Sequence, residues 1–230
     1  MANILNIETS TDVCSVALTQ DMQVLLNHED YEGHNHSVVL SKFIKDCLEY
    51  VHTREIKLEA VAVSMGPGSY TGLRIGLSEA KGLCYGLNVP LIGVNTLKLL
   101  TVSTMFRCFM EEEVLYAPML DARRMEVYTA VYNNRLEEVM PMQPMILDEN
   151  SFAEVLADKK VLMMGNGSTK ARDVIKHANA RFIDDVKPEA VDMLALAEKA
   201  FREGDFADVA YSTPIYLKEF KATTPKNKVL

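Results

Sequence analysis

Residues 66–76 read GPGSYTGLRIG, with glycines at 66, 68, 72 and 76, a proline at 67 and hydroxyls at 69 and 71. A glycine-rich turn between an apolar strand and a helix presents backbone N–H groups at a positive helix end, which is chemistry suited to holding an anion. The stretch is neither a P-loop, since no GK[ST] follows, nor a GxGxxG turn. Gly72 and Gly76 fall inside the helix, where each costs ~1 kcal/mol relative to alanine, and phosphate binding gives no reason for them. Close packing does: Gly72, Gly76 and Ala80 recur every four residues and clear one helix face for the approach of another backbone. Either the helix lies tight against its own sheet or the strip receives a helix from another subunit. Both readings put the anion second.

Other polar groups are candidates for the same cleft chemistry. Glu8, Thr9, Ser10 and Thr11 form a turn after the first strand, and polar turns between strands are most often only turns. Asp121, Arg123 and Arg124 sit in the turn DARR, and Gly165 and Gly167 belong to GNGS, a second glycine turn after a strand. Among the histidines, His34 and His36 have HxH spacing, but no acidic or cysteine ligand completes a set, so no metal is expected. Cys14, Cys47, Cys84 and Cys108 lack CxxC spacing and read as reduced, buried thiols.

These residues need strands and helices to hold them. NILNIETS, CSVALTQ and QVLLNHED read as a meander. HSVVLSKFIKDCLEYV carries Leu40, Ile44, Cys47, Leu48 and Val51 at helical spacing, with Val39 and Phe43 widening the stripe. AVAVSMG is a buried strand, the glycine segment opens a second helix, VPLIGVN is a strand, and a third helix starts near Thr96. The order βββαβαβα demands a mixed sheet covered by helices, as in a ribonuclease-H-like half. A composition shift between Phe106 and Glu113 marks a lobe boundary, giving lobes at 1–105 and 106–230. The second lobe has strands at Val114 to Leu120 and Glu126 to Tyr132, a third in KKVLMMGNGS, and a closing helix capped by Gly204 that is free to return across the junction. The tail from about 221 is expected to fray.

The chain has 230 residues, 48% of them hydrophobic, and a formal charge of -8. It can bury a real core, and its acidity argues against holding nucleic acid alone. No run approaches the ~20 apolar residues of a membrane span, and the N-terminus lacks a signal pattern. A cytoplasmic protein is expected.

ILNIETSTDVCSVAL, AVAVSMGPGSYTGLRIGLSEAKGL, VPLIGVNTLKLL, MLDARRMEVYTAVY and GNGS stand in the order and spacing of the bacterial TsaB proteins, also called YeaZ. The resemblance spans most of the chain and thins after Gly167. It implies an α/β fold of two ribonuclease-H-like lobes of the actin, Hsp70 and sugar kinase (ASKHA) type, the second lobe reduced. It further implies a noncatalytic partner and scaffold of TsaD. TsaD is the subunit that attaches threonylcarbamoyl to N6 of adenosine 37 in tRNAs reading codons that begin with A, and it works with the ATPase TsaE. Where TsaD-like proteins begin a helix with HHxxxH, this chain has VNTLKLL, with Thr96 and Leu100 at the ligand positions. Neither side chain replaces an imidazole.

Two other classes stay open at this stage. A small-molecule kinase of this fold would need Glu8 or Asp121 to act on a magnesium nucleotide. A metallopeptidase would need paired ligands that no HExxH supplies. The expected roles are therefore no catalytic residue, no cofactor and no metal. The partner surface is expected at Val39, Leu40, Phe43, Ile44, Cys47, Ser69, Tyr70, Gly72, Gly76, Glu79, Ala80 and Leu83, with a residual polar cleft at Glu8, Thr9, Ser10, Asp121, Arg123, Gly165 and Gly167. TsaD is the implied partner, TsaE the associated ATPase, tRNA a contact only through the complex, and a homodimer the state without TsaD.

Overall fold

The computed structural model describes residues 2–33, 35–108 and 113–218. His34 and the expected frayed tail lie outside them.

The first sheet is built from β1 (Asn3–Glu8), β2 (Cys14–Gln20), β3 (Gln23–Asp30), β4 (Ala60–Gly66) and β5 (Leu91–Asn95), in the order β3-β2-β1-β4-β5. β1 pairs antiparallel with β2 and parallel with β4, so the meander and the crossover units share one mixed sheet. Asp21 and Met22, both at positive φ, make the two-residue turn between β2 and β3. The helices are α1 (His36–Thr53), α2 (Tyr70–Leu87) and α3 (Thr96–Arg107).

Strand alternation divides this sheet into two unlike faces. Leu5, Ile7, Val61, Val63 and Leu91 meet Leu40, Ile44, Cys47, Leu77, Ala80 and Cys84 of α1 and α2. On the opposite face Ile4, Ala60, Ala62, Ile92 and Val94 meet Leu99 of α3 together with Met193 and Ala197. The small side chains of Ala60 and Ala62 leave room there for a helix from the far end of the chain.

The second sheet repeats the plan. Its strands are β6 (Leu115–Asp121), β7 (Glu126–Tyr132), β8 (Glu138–Ile146), β9 (Val161–Met164) and β10 (Ala180–Ile183), in the order β10-β9-β6-β7-β8. β6 takes the place of β1, antiparallel to β7 and parallel to β9. The short helices α4 (Ala153–Asp158) and α5 (Ser168–Val174) cover one face, and the other packs on α3 through Leu97 and Leu100. α3 is thus the buried joint between the two sheets.

The closing helix α6 (Leu194–Glu203), capped at Gly204, packs on β1 and β5, so the chain returns to the first sheet. Beyond it Ala207 N–H donates to the Leu91 carbonyl at 2.8 Å and Ile215 N–H to the Met65 carbonyl at 2.7 Å. No helix among the described residues is long and apolar enough to cross a membrane.

Candidate functional site

The glycine segment forms the turn between β4 and α2, entered through a cis Gly66–Pro67 bond. Ser69 is the N-cap, its hydroxyl accepting from Gly72 N–H at 3.2 Å. The turn is tied to the end of β1: Ser69 N–H donates to the Ser10 carbonyl at 2.7 Å, and the Thr9 hydroxyl donates to the Gly72 carbonyl at 2.8 Å.

This tie explains the helical glycines. A Cβ on Gly72 would come within 2.1 Å of the Thr9 carbonyl oxygen, and one on Gly76 within 2.2 Å of the Thr9 hydroxyl. At Gly72 and Gly76 the strip is filled by the chain's own β1–β2 turn, and Ala80 is buried in the core of the first sheet, so the strip lies against its own sheet, which corrects the placing of Gly72, Gly76 and Ala80 on the partner surface. Leu40, Ile44 and Cys47 are likewise buried on the sheet, and Phe43 stacks on His28 with ring centroids 5.1 Å apart. Val39, Glu79 and Leu83 are half-buried, Tyr70 likewise, and Ser69 is exposed.

The outward face of the same two helices carries other residues. Val38 is 74% exposed and Tyr85 87% exposed, and Ser41 on α1 donates to Glu79 on α2 at 3.1 Å. Cβ atoms added at Gly82 and Gly86 would meet nothing within 4 Å. Sequence periodicity missed this face because small residues recur on both sides of α2, and only the burial distinguishes the sides.

A cleft of about 1350 Å³ separates the two sheets. On one side it is lined by Ser10, Thr11, Asp12 and the 67–72 turn, on the other by Asp121, Arg123, Arg124, Glu126 and Asn166, and along one edge by residues 215–218. Arg123 and Arg124 thus face it, both at positive φ. The turn that carries them is held by Lys170, whose ammonium bonds Asp121 Oδ1 at 2.8 Å, the Arg124 carbonyl at 2.8 Å and the Glu126 carbonyl at 2.5 Å. The ion-pair partner of Asp121 is this lysine, which the sequence reading did not single out.

Not all the expected polar residues reach the cleft. Thr9 is buried beneath it, while Gly165 and Gly167 are pressed on Met119, where added Cβ atoms would lie 2.5 and 3.1 Å from its atoms. Glu8 is completely buried; its Oε1 accepts from Ser10 N–H at 2.5 Å and its Oε2 has no partner. Burial pushes its carboxyl up to about 7, against the smaller opposing effect of the Ser10 hydrogen bonds. A sealed carboxyl of this kind is badly placed to hold magnesium, which removes one of the two groups a kinase reading relies on. Thr96 and Leu100, which the resemblance sets where TsaD-like proteins carry histidine ligands, are both buried in packing.

The sequence profile of the family described as "TsaD: tRNA N6-adenosine threonylcarbamoyltransferase" matches residues 27–226. The protein named tRNA threonylcarbamoyladenosine biosynthesis protein TsaB from Bacillus subtilis (strain 168) is 34% identical over 178 residues, covering 75% of each chain. Its namesake from Escherichia coli (strain K12) is 33% identical over 224 residues, covering 94% of each. The chain belongs to the TsaB (YeaZ) family.

A solved structure titled "YeaZ from Pseudomonas aeruginosa" superposes with a TM-score of 0.79 at 26% identity, covering 94% of this chain and 100% of that one. The TsaB fold seen here, two mixed sheets of matching strand order, is the two-lobed ASKHA arrangement. The match of the TsaD profile to a TsaB-family chain reflects that shared fold.

Proposed function

We propose that this chain acts in the synthesis of N6-threonylcarbamoyladenosine in tRNA as the noncatalytic subunit that binds and supports a TsaD-type transferase. The observation that carries the reading is its likeness over 94% of its length to a protein named for that biosynthesis. Thr96 and Leu100 at the ligand positions, and Glu8 sealed from the cleft, support the assignment of catalysis to the partner. In this reading a TsaE-type ATPase joins the complex, tRNA meets the chain only within it, the lobes divide near 105/106, and the setting is cytoplasmic.

The docking surface in this proposal is the outward face of α1 and α2, with Val38, Ser41, Ser78, Glu79, Gly82 and Tyr85. Two helices that present small residues beside exposed apolar ones can admit a second helix pair at short distance. Without TsaD the same face would pair two copies of the chain. Co-purification with the TsaD of the same organism, with and without TsaE and nucleotide, tests the reading. A stable complex is expected, and separate elution under all conditions would contradict it.

A further inference from the structure

Among the described residues the two sheets are joined by α3, by the stretch after β10, where Val186 packs in the second core and Lys187 pairs with Asp12 at 3.5 Å, and by the segment after α6. In α3, Leu97 and Leu100 lie in the core of the second sheet while Leu99 lies in that of the first. The segment after α6 is held differently. It is fixed to the first sheet by Ala207 on Leu91 and Ile215 on Met65, and Lys81 donates to the carbonyls of Ala210 at 2.9 Å and Ser212 at 3.1 Å. It then runs along the cleft, where Ile215, Tyr216, Leu217 and Lys218 form part of the lining.

Its attachments differ in kind at the two ends. On the first-sheet side the backbone is bonded, and Tyr216 rests on Tyr70 with ring centroids 5.2 Å apart while its hydroxyl accepts from Arg74 Nε at 3.0 Å. The Arg74 guanidinium lies 4.1 Å over the Tyr70 ring, so the three side chains form one stack. On the second-sheet side the attachment among the described residues is the Lys218 side chain, which pairs with the Glu126 carboxylate and lies 6.0 Å over the Tyr128 ring.

We propose that residues 215–218 are a displaceable clasp across the interlobe cleft, anchored by Tyr216 and Arg74 on the first lobe and closed onto the second by Lys218 on Glu126. With α3 buried on both sides, separation of the lobes at the cleft needs that closing contact to part, together with the exposed Lys187–Asp12 pair at the first-lobe wall. Both groups of the pair are partly exposed, so added salt weakens it. Release leaves the backbone-bonded part of the segment on the first lobe and widens the cleft, uncovering Arg123, Arg124 and the 67–72 turn to a larger ligand.

The test is a distance measurement by electron paramagnetic resonance on the full chain. Nitroxides are placed at Ser37 and Arg123, on opposite sides of the cleft, in a Cys108→Ser background, since the other cysteines are buried. Lys218→Glu, which sets two carboxylates face to face, is expected to shift the distribution to longer distances and broaden it. The exchanged pair Lys218→Glu with Glu126→Lys is expected to restore it, and 1 M salt on the unexchanged chain to move it in the same direction as Lys218→Glu. Thermal melts confirm that each variant is folded. A distribution unchanged by Lys218→Glu, or one that the exchanged pair leaves displaced, would overturn the proposal.

Discussion

Thr9 and Gly76 are in mutual contact across the junction of β1 and α2: the Thr9 hydroxyl occupies the space that a side chain at position 76 would need, 2.2 Å from the place of its Cβ. The same hydroxyl holds the Gly72 carbonyl at 2.8 Å, so the contact serves both to pack the helix and to fix the turn.

Gly76→Ala is therefore expected to lower stability by ~1 to 3 kcal/mol through overpacking. In a Thr9→Ala background the added cost should shrink, because the obstructing oxygen is gone. Gly72→Ala should be worse than Gly76→Ala, since the obstacle at 72 is the Thr9 backbone carbonyl, which no rotamer can move. Chemical denaturation of the four variants measures these differences. Equal costs for Gly76→Ala in the two backgrounds would separate the two residues energetically.

Gly82 gives the opposite outcome on the same helix. With nothing within 4 Å of its Cβ position, Gly82→Leu should keep the fold and gain up to ~1 kcal/mol from helix propensity. On the docking face proposed above, the added bulk should cost ~1 to 3 kcal/mol of association with TsaD, roughly a five- to hundredfold loss. Titration calorimetry beside thermal melts reads both signs.

Glu8 makes stability depend on pH. Its folded pKa of about 7 stands above the ordinary 4.5, so the folded state holds the proton more tightly than the unfolded state. The contribution is full below pH 4.5 and is lost as pH rises through 7, amounting to about 3 kcal/mol by pH 9. Glu8→Gln should remove this decline, and urea melts at pH 5, 7 and 9 should show the two curves diverging with pH.

Lys170 is expected to govern the cleft turn. Its side chain is 17% exposed and holds one carboxylate and two carbonyls, so Lys170→Met should cost ~1 to 3 kcal/mol. Hydrogen exchange should rise at residues 121–126 and stay unchanged in β1 and β4.

Much of the fold was legible because local signals agreed. AVAVSMG is an apolar run interrupted only by Ser64 and leading into the turn-forming Gly66–Pro67, and Ser69 stands where an N-cap is needed, so β4 and α2 follow directly. β8 was not foreseen because Pro141 and Pro144 mask its alternation; as an edge strand it tolerates them. The destination of α6 was open because an amphipathic stripe specifies a partner surface and not which of two sheets supplies it. At the site, spacing identified the glycine strip but not its occupant. Thr9 is remote in sequence from Gly72 and Gly76, and only the tertiary fold brings its backbone onto them. The Lys170 clamp was hidden for the same reason, since a lone lysine after GNGS has no local mark of its three distant acceptors.

The proposed role, support of a transferase without transferase activity of its own, is open to direct assay. The direct measurement is threonylcarbamoyl incorporation into unmodified tRNA by purified TsaD and TsaE, supplied with ATP and the threonylcarbamoyl donor, in the presence and absence of this chain. Product should accumulate only when this chain and TsaD are both present. Product formed by this chain without TsaD, or the same yield from TsaD and TsaE whether or not this chain is added, would contradict that role.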